Sequence, residues 1–198
     1  PHYYLGVVLR EQAALLSAAK PAREAKLKEA EDELWKAAWR DTHQREAYTE
    51  LARIACLKGD WKTAQERIRD ALDVCQKSAK LHVIDAVIHR KLGQKELAQK
   101  ALAEAFACDA LEYWGIVERA FLDGNGENAL AAAEKNRGLK AQQLLECAYD
   151  YLGLGATDEV LALVRQAKAK ATAEKVPVTT AEWCASYRTP LFDYLAGY

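Results

Sequence analysis

Two histidines and a carboxylate share one stripe of a helical segment: His82, Asp85 and His89 stand at intervals of three and four residues. Imidazole nitrogens and carboxylate oxygens are zinc ligands, so this set is the first place to look for chemistry. The histidines, however, are two helical turns apart, about 10.5 Å of rise, which is too far for both to reach one ion easily. Relative to Gly93 the three residues fall where Tyr48, Leu51 and Ala55 fall relative to Gly59, on the face turned to a paired helix. The expectation is a hydrogen-bonded polar patch within the packing, in which buried Asp85 or His89 needs a partner.

Other residue types that could react are no better placed. Cys147 could serve as a nucleophile beside a histidine base, but His2, His43, His82 and His89 all precede it in other segments, with no motif around any of them. Gly124-Asn125-Gly126 lacks the Gly-Lys-Ser/Thr pattern of a phosphate loop and follows no strand, so it reads as a turn between helices. Trp35 and Trp39 are four apart and share a helix face. With Trp61, Trp114 and Trp183 they could stack on sugars, but packing against neighbouring helices is the expected role. The reading is therefore a non-catalytic chain with no catalytic residue, no cofactor and no metal.

The elements that carry these residues are helical. Among 198 residues, 51% are hydrophobic, with only four Pro and ten Gly. Ala, Leu, Glu, Lys, Gln and Arg dominate, and these residues lose little rotamer freedom in a helix. Lys plus Arg total 28 and Asp plus Glu 29, a balance that gives no electrostatic reason to expect nucleic acid or an acidic membrane as partner. No apolar run approaches the roughly 18 residues of a membrane span. Cys56, Cys75, Cys108, Cys147 and Cys184 are scattered with no Cys-x-x-Cys pair, which predicts buried, reduced thiols in a reducing compartment.

Self-comparison shows the organisation. Gly59 and Gly93 are 34 apart, and the same shift carries Ala64 onto Ala98, Ile68 onto Leu102 and Ala71 onto Ala105. One period upstream stand Ala30, Leu34 and Ala37. Offsets of four and three place each trio on one helix face. A glycine ends one helix and a second follows at once, its alanines allowing close approach of the first. One such pair cannot bury its own apolar face, so neighbours must stack. Later units are less regular: Gly93, Gly124 and Gly155 follow at intervals of 31. The pattern predicts an all-α superhelix, a solenoid of about five helical hairpins plus a partial terminal one. The unit ranges are approximately 1–41, 42–76, 77–110, 111–136, 139–171 and 179–198, in a single array. Within it, Tyr3 to about Ala19 reads as the first helix and Glu127–Glu134 as a short second helix of the fourth unit. Thr172–Thr180 reads as a loop and Trp183–Tyr187 as a short helix. The chain starts at Pro1 and contains no Met, from which a piece of a longer protein is expected, with exposed apolar surface at its C-terminal end.

The period, with Tyr48, Leu51, Ala52, Gly59, Ala64, Ile68 and Ala71, resembles the tetratricopeptide repeat, most strongly from Leu27 to Ala110. The usual repeat-ending Pro is replaced by Thr42, Gln76 and Ala110. The stretches Lys36–Trp39, Ala47–Asp60 and Cys147–Gly155 are similar to the helical tail of a bacterial family. Its members join an uncharacterised N-terminal β-sandwich domain, related to sugar-handling folds, to a C-terminal repeat array. The resemblance implies a larger parent and carries no catalytic residue onto this chain.

Stacked hairpins form a groove lined by their first helices. Glu46, Thr49, Arg53 and Cys56 are expected to line it in one unit and Lys80, Val83, Val87 and Arg90 in the next, with Arg119 continuing the line. An extended or helical peptide could lie there. The two apolar positions, Val83 and Val87, argue against a Lys/Asn clamp for a peptide's terminal carboxylate. The function expected is a scaffold binding a protein or peptide, or the N-terminal domain of its own parent chain. The alternative is a tail that positions or dimerises a carbohydrate-active domain, with a second copy of the chain as partner. A cytoplasmic location accompanies both readings.

Overall fold

Ala64, Ile68 and Ala71 are fully shielded from solvent, as are their counterparts Ala98, Leu102 and Ala105 and, one period upstream, Ala30 and Leu34. The repeated trio is thus the seam on which the molecule is assembled. A buried branched residue such as Ile68 contributes about 1.5–3 kcal/mol of transfer free energy, and the flanking alanines let the partner helix come close enough to cover it.

The structure is a computed structural model that describes residues 1–14, 16, 21–39, 41–137 and 141–173. Those residues form ten α-helices and no strand: α1 (His2–Ala14), α2 (Pro21–Ala38), α3 (Gln44–Leu57), α4 (Trp61–Val74), α5 (Ala79–Lys91), α6 (Lys95–Cys108), α7 (Tyr113–Leu122), α8 (Ala129–Arg137), α9 (Ala141–Gly153) and α10 (Thr157–Ala173). Consecutive helices pack as pairs, α1 with α2 through α9 with α10, and successive pairs stack in an all-α superhelical repeat. The reading of Thr172–Thr180 lies largely outside the described residues. Those of Trp183–Tyr187 and of an apolar C-terminal end lie wholly outside them. No described helix is long and apolar enough to cross a membrane.

The turns inside the pairs share one geometry. Gly59, Gly93, Gly124 and Gly155 have φ between 65° and 75°. That left-handed conformation is costly for a residue with a Cβ and available to glycine. After Gly59 the Asp60 amide donates back to Ala55 O at 2.9 Å, and after Gly93 the Gln94 amide donates to His89 O at 2.9 Å. These are the six-to-one bonds of a Schellman helix end. After Gly59 the next helix starts on a side-chain cap, Asp60 Oδ1 accepting from the Thr63 amide at 3.1 Å; between pairs, Ser78 Oγ takes the same role for Leu81 at the start of α5, at 3.5 Å. At Gly6 the backbone of α1 lies directly on α2, where a Cβ would stand 2.6 Å from Leu34 Cγ.

The first helices of the pairs, α1, α3, α5, α7 and α9, line the inner face. The curl is tight enough for the far end to meet the beginning. Tyr149 of α9 donates to Glu11 of α1 at 2.9 Å. A Cβ on Gly155 would lie 3.5 Å from Leu57 Cα, at the end of α3.

Candidate functional site

Inside this curl, ionisable side chains converge from all five inner helices and from α10. One group joins α1, α3, α5 and α9. Arg10 Nε faces Glu50 Oε2 at 2.6 Å. Arg53 reaches Glu50 and Asp150, each at 3.3 Å, and Lys80 reaches Asp150 at 2.8 Å. A second group joins α5, α7, α9 and α10. Arg90 donates to both oxygens of Glu118, at 2.6 and 3.0 Å, and its remaining nitrogen meets Glu159 at 2.8 Å. Lys91 meets the same Glu159 oxygen at 2.6 Å, and the Tyr151 hydroxyl donates to Glu118 at 2.7 Å. A planar guanidinium suits such a site because its fork matches a carboxylate's two oxygens.

The electrostatics follow from burial and pairing. Burial pushes the Glu118 carboxyl above its ordinary value, against the pull of the Arg90 guanidinium and the Tyr151 hydroxyl. Tyr151, enclosed and facing Glu118, is pushed well above a normal phenol. For Glu159, burial works upward but is outweighed by the Lys91 hydrogen bond and the Arg90 charge, which hold it below the ordinary carboxylate range. Buried charge that is removed from water and paired on several sides locks geometry more surely than it adds stability.

The expected groove residues are distributed as follows. Glu46, Thr49, Arg53 and Lys80 come together around one cavity of about 220 Å³, with Tyr3 and Arg45 beside them. Glu46 pairs with Arg45, and Thr49 Oγ1 donates to the Arg45 carbonyl at 2.8 Å. Lys80 also borders a second cavity of about 330 Å³ that Glu112, Trp114, Cys147 and Asp150 help to line. Arg53 and Arg90 are engaged in the internal ion pairs.

Three expectations are corrected. Val83 and Val87 are fully buried, not groove-lining, and belong to the same core as Trp114, Val117 and Tyr151. The curl brings α7 and α9 over the inner face of α5, leaving these two side chains no solvent. Arg119 is not on the inner line. Counting back from the turn glycines, Arg53 and Val87 stand six residues before Gly59 and Gly93. The matching residue before Gly124 is Glu118. Arg119 is one residue out of register, about 100° round the helix. It lies over the Phe106 ring at 4.4 Å, facing α6. Finally, the thiols are not uniformly buried: Cys56 and Cys147 are enclosed, Cys75 is half-buried and Cys108 is exposed, and all four are free. Cys184 lies outside the described residues.

The remaining sequence candidates sit as follows. His89 is buried, with its Nδ1 donating to Gln94 Oε1 at 2.6 Å and its Nε2 3.4 Å from Asp85. His82 turns away and donates to the Gln76 carbonyl at 2.8 Å. Cys147 is held as a thiol, its ionisation opposed by burial and by the nearby Asp150, Glu112 and Glu146 carboxylates. A thiol so raised is a poor nucleophile. Trp35 meets Tyr48 edge-on and carries Arg67 over its ring. Trp39, expected to pack, is 88% exposed.

The buried acids Glu50, Glu118, Asp150 and Glu159 were not singled out by spacing. One signal for them exists: a position that holds Arg in one unit and Val in the next holds Glu in the fourth, at Glu118. The two charges do not pair with each other: Arg53 meets Glu50 and Asp150, and Glu118 meets Arg90. No family model matches the chain.

Proposed function

We propose that this chain is a non-catalytic scaffold of tetratricopeptide type that engages a protein or peptide at the open part of its inner face. The observation supporting this is the cavity of about 220 Å³ where Glu46, Thr49, Arg53 and Lys80 meet between α3 and α5. It presents charges of both signs beside Tyr3 and Leu81, a mixture suited to a polypeptide's alternating polar and apolar groups. Its residues are held by neighbours rather than free to collapse, which lowers the ordering cost of binding. Helical repeats use such faces widely, so the step from fold to binding is one of analogy. The test is affinity capture with wild-type chain and with Glu46→Lys plus Thr49→Arg, two positions outside the core. Partners that depend on the cavity are lost from the variant; an unchanged set of captured proteins refutes the reading.

A second observation favours the interdomain form of the same idea. Tyr4, Leu5 and Val8 of α1 are 64%, 49% and 51% exposed. At spacings of three and four they form a short apolar stripe on α1, on which an adjoining domain of a parent chain would rest. Such a domain, carbohydrate-active in the family the sequence resembles, would be positioned by the array. Light scattering of this chain with and without Leu5→Glu plus Val8→Glu separates a second copy from a domain in cis as the occupant. Only self-association is abolished in the isolated chain.

A further inference from the structure

The contacts that close the curl add a polar seam to the apolar packing that stacks the hairpins. Within the last pair and between it and α7, the contact is apolar: Leu144, Ala148, Val160, Leu163, Val164 and Ala167 are all buried in one core. Where that pair reaches across to α1, α3 and α5, polar pairs lie beside an apolar core that also takes in Cys56, Val83 and Val87. Asp150 meets Arg53 at 3.3 Å and Lys80 at 2.8 Å, Tyr149 meets Glu11 at 2.9 Å, and Glu159 meets Arg90 and Lys91. An apolar approach accompanies them, with Gly155 against Leu57.

We propose that the α9–α10 hairpin is a latch over the inner face, held shut by Asp150 on Arg53 and Lys80 and by Tyr149 on Glu11, and that releasing this seam uncurls the array while its helix pairs stay folded. Three observations carry the idea. The seam joins residues 97 and 138 positions apart in sequence, so no local turn enforces it. Two of its groups are wet, the Lys80 side chain at 53% exposed and the Tyr149 residue at 55%, while the Arg53 and Asp150 side chains between them are largely enclosed. The exposed Lys80 end of the seam contributes little and is screened by salt, whereas the aliphatic stack does not weaken with ionic strength. Finally, Lys80 borders both inner cavities and Asp150 stands beside it. Parting that pair would join the two spaces into one longer trough.

The latch is independent of whether the inner face binds a protein, because its readout is thiol exposure and not partner capture. Cys147 lies three residues before Asp150 and Cys56 three after Arg53, so each shares the latch stripe of its helix. Both are 3% exposed when the latch is closed, whereas Cys108 is exposed and serves as internal reference. The experiment is maleimide labelling of the full chain with peptide mapping of each cysteine. It compares wild type with Asp150→Asn plus Tyr149→Phe, at low salt and at about 1 M, where the screening length is about 3 Å. The latch predicts severalfold faster labelling of both Cys147 and Cys56 in the variant relative to Cys108, and Cys56 decides, because removing the Asp150 charge by itself eases Cys147 ionisation. In wild type the same two rates rise with salt, while helical circular dichroism is unchanged. An unchanged Cys56 rate in a folded variant overturns the proposal, whatever Cys147 does, and so does acceleration that comes only with loss of helicity. Should the double variant fail to fold, the wild-type salt series decides by the same criterion.

Discussion

The Tyr151 hydroxyl lies 2.7 Å from Glu118 Oε2, and neither side chain meets solvent. A phenol on α9 thereby satisfies a carboxylate on α7 that Arg90 on α5 also holds. Three successive inner helices are tied by one acid. The Tyr151 ring is fixed from two sides, edge-on to Trp114 and Phe121 with centroids 5.5 and 5.7 Å apart.

Tyr151→Phe isolates the hydroxyl from the ring. The aromatic contacts persist, and Glu118 loses a donor it cannot replace from water. The expected loss is about 1–3 kcal/mol, as for a hydrogen bond to a buried charged group. Urea unfolding reads it as a lower midpoint at constant slope; an unshifted midpoint refutes the assignment.

Glu159 gives the pH dependence. Its folded pKa lies below the ordinary 4.5, so the unfolded chain binds the proton more readily. Stability from this group is therefore fully present above about pH 4.5 and is lost as pH falls through the folded value. Glu159→Gln should flatten the acid limb of a plot of stability against pH. Glu118 acts with opposite sign: its folded pKa is raised, so its contribution declines as pH rises above the ordinary carboxyl value. Equal acid slopes in wild type and Glu159→Gln would show that the Lys91 and Arg90 pairings do not act in solution.

Two glycines should respond to alanine for different reasons. At Gly93 φ is 73° and a Cβ would touch nothing within 4 Å, so Gly93→Ala meets backbone strain alone, about 1–2 kcal/mol. At Gly6 the obstacle is Leu34, and Gly6→Ala should cost about 1–3 kcal/mol by overpacking. A second-site Leu34→Ala should relieve Gly6→Ala and leave Gly93→Ala untouched. A double-mutant cycle measures this directly, and equal coupling at both glycines would contradict the two causes.

Val83→Asn tests the closure of the inner face over α5. In a wet groove the substitution would stay within about 0.5 kcal/mol of wild type. Beneath α7, beside Gly115, the amide is buried without an evident partner, and the cost should be about 2 kcal/mol or more. Thermal melts of the two proteins suffice to distinguish these outcomes.

Much of the scaffold was legible in the residues. The alanine and aliphatic trios and the recurring turn glycines are local features whose energetics depend on neighbours within a hairpin. Ile68 between Ala64 and Ala71 has one sensible surroundings, a paired helix, whatever the rest of the chain does. The candidate site was less legible. Glu46, Thr49, Arg53 and Lys80 follow from counting back from the turn glycines and gather around one cavity, whereas Arg119 leaves that register by one residue. Trp39, which sequence reasoning would bury, is 88% exposed, while Trp35 one turn earlier meets Tyr48 and Arg67.

The sequence by itself determined the helices, their turns and their pairing, because helix periodicity, glycine conformations and small-residue contacts act within a few dozen residues. Only the tertiary structure decided how far the array curls. That curvature is a sum of small rotations, settled by distant contacts such as Tyr149 with Glu11 and Asp150 with Arg53. Because the curl closes, Val83 and Val87 became core and four acids found cations across the centre. Charge pairing over such separations has no period that a reading along the chain can detect.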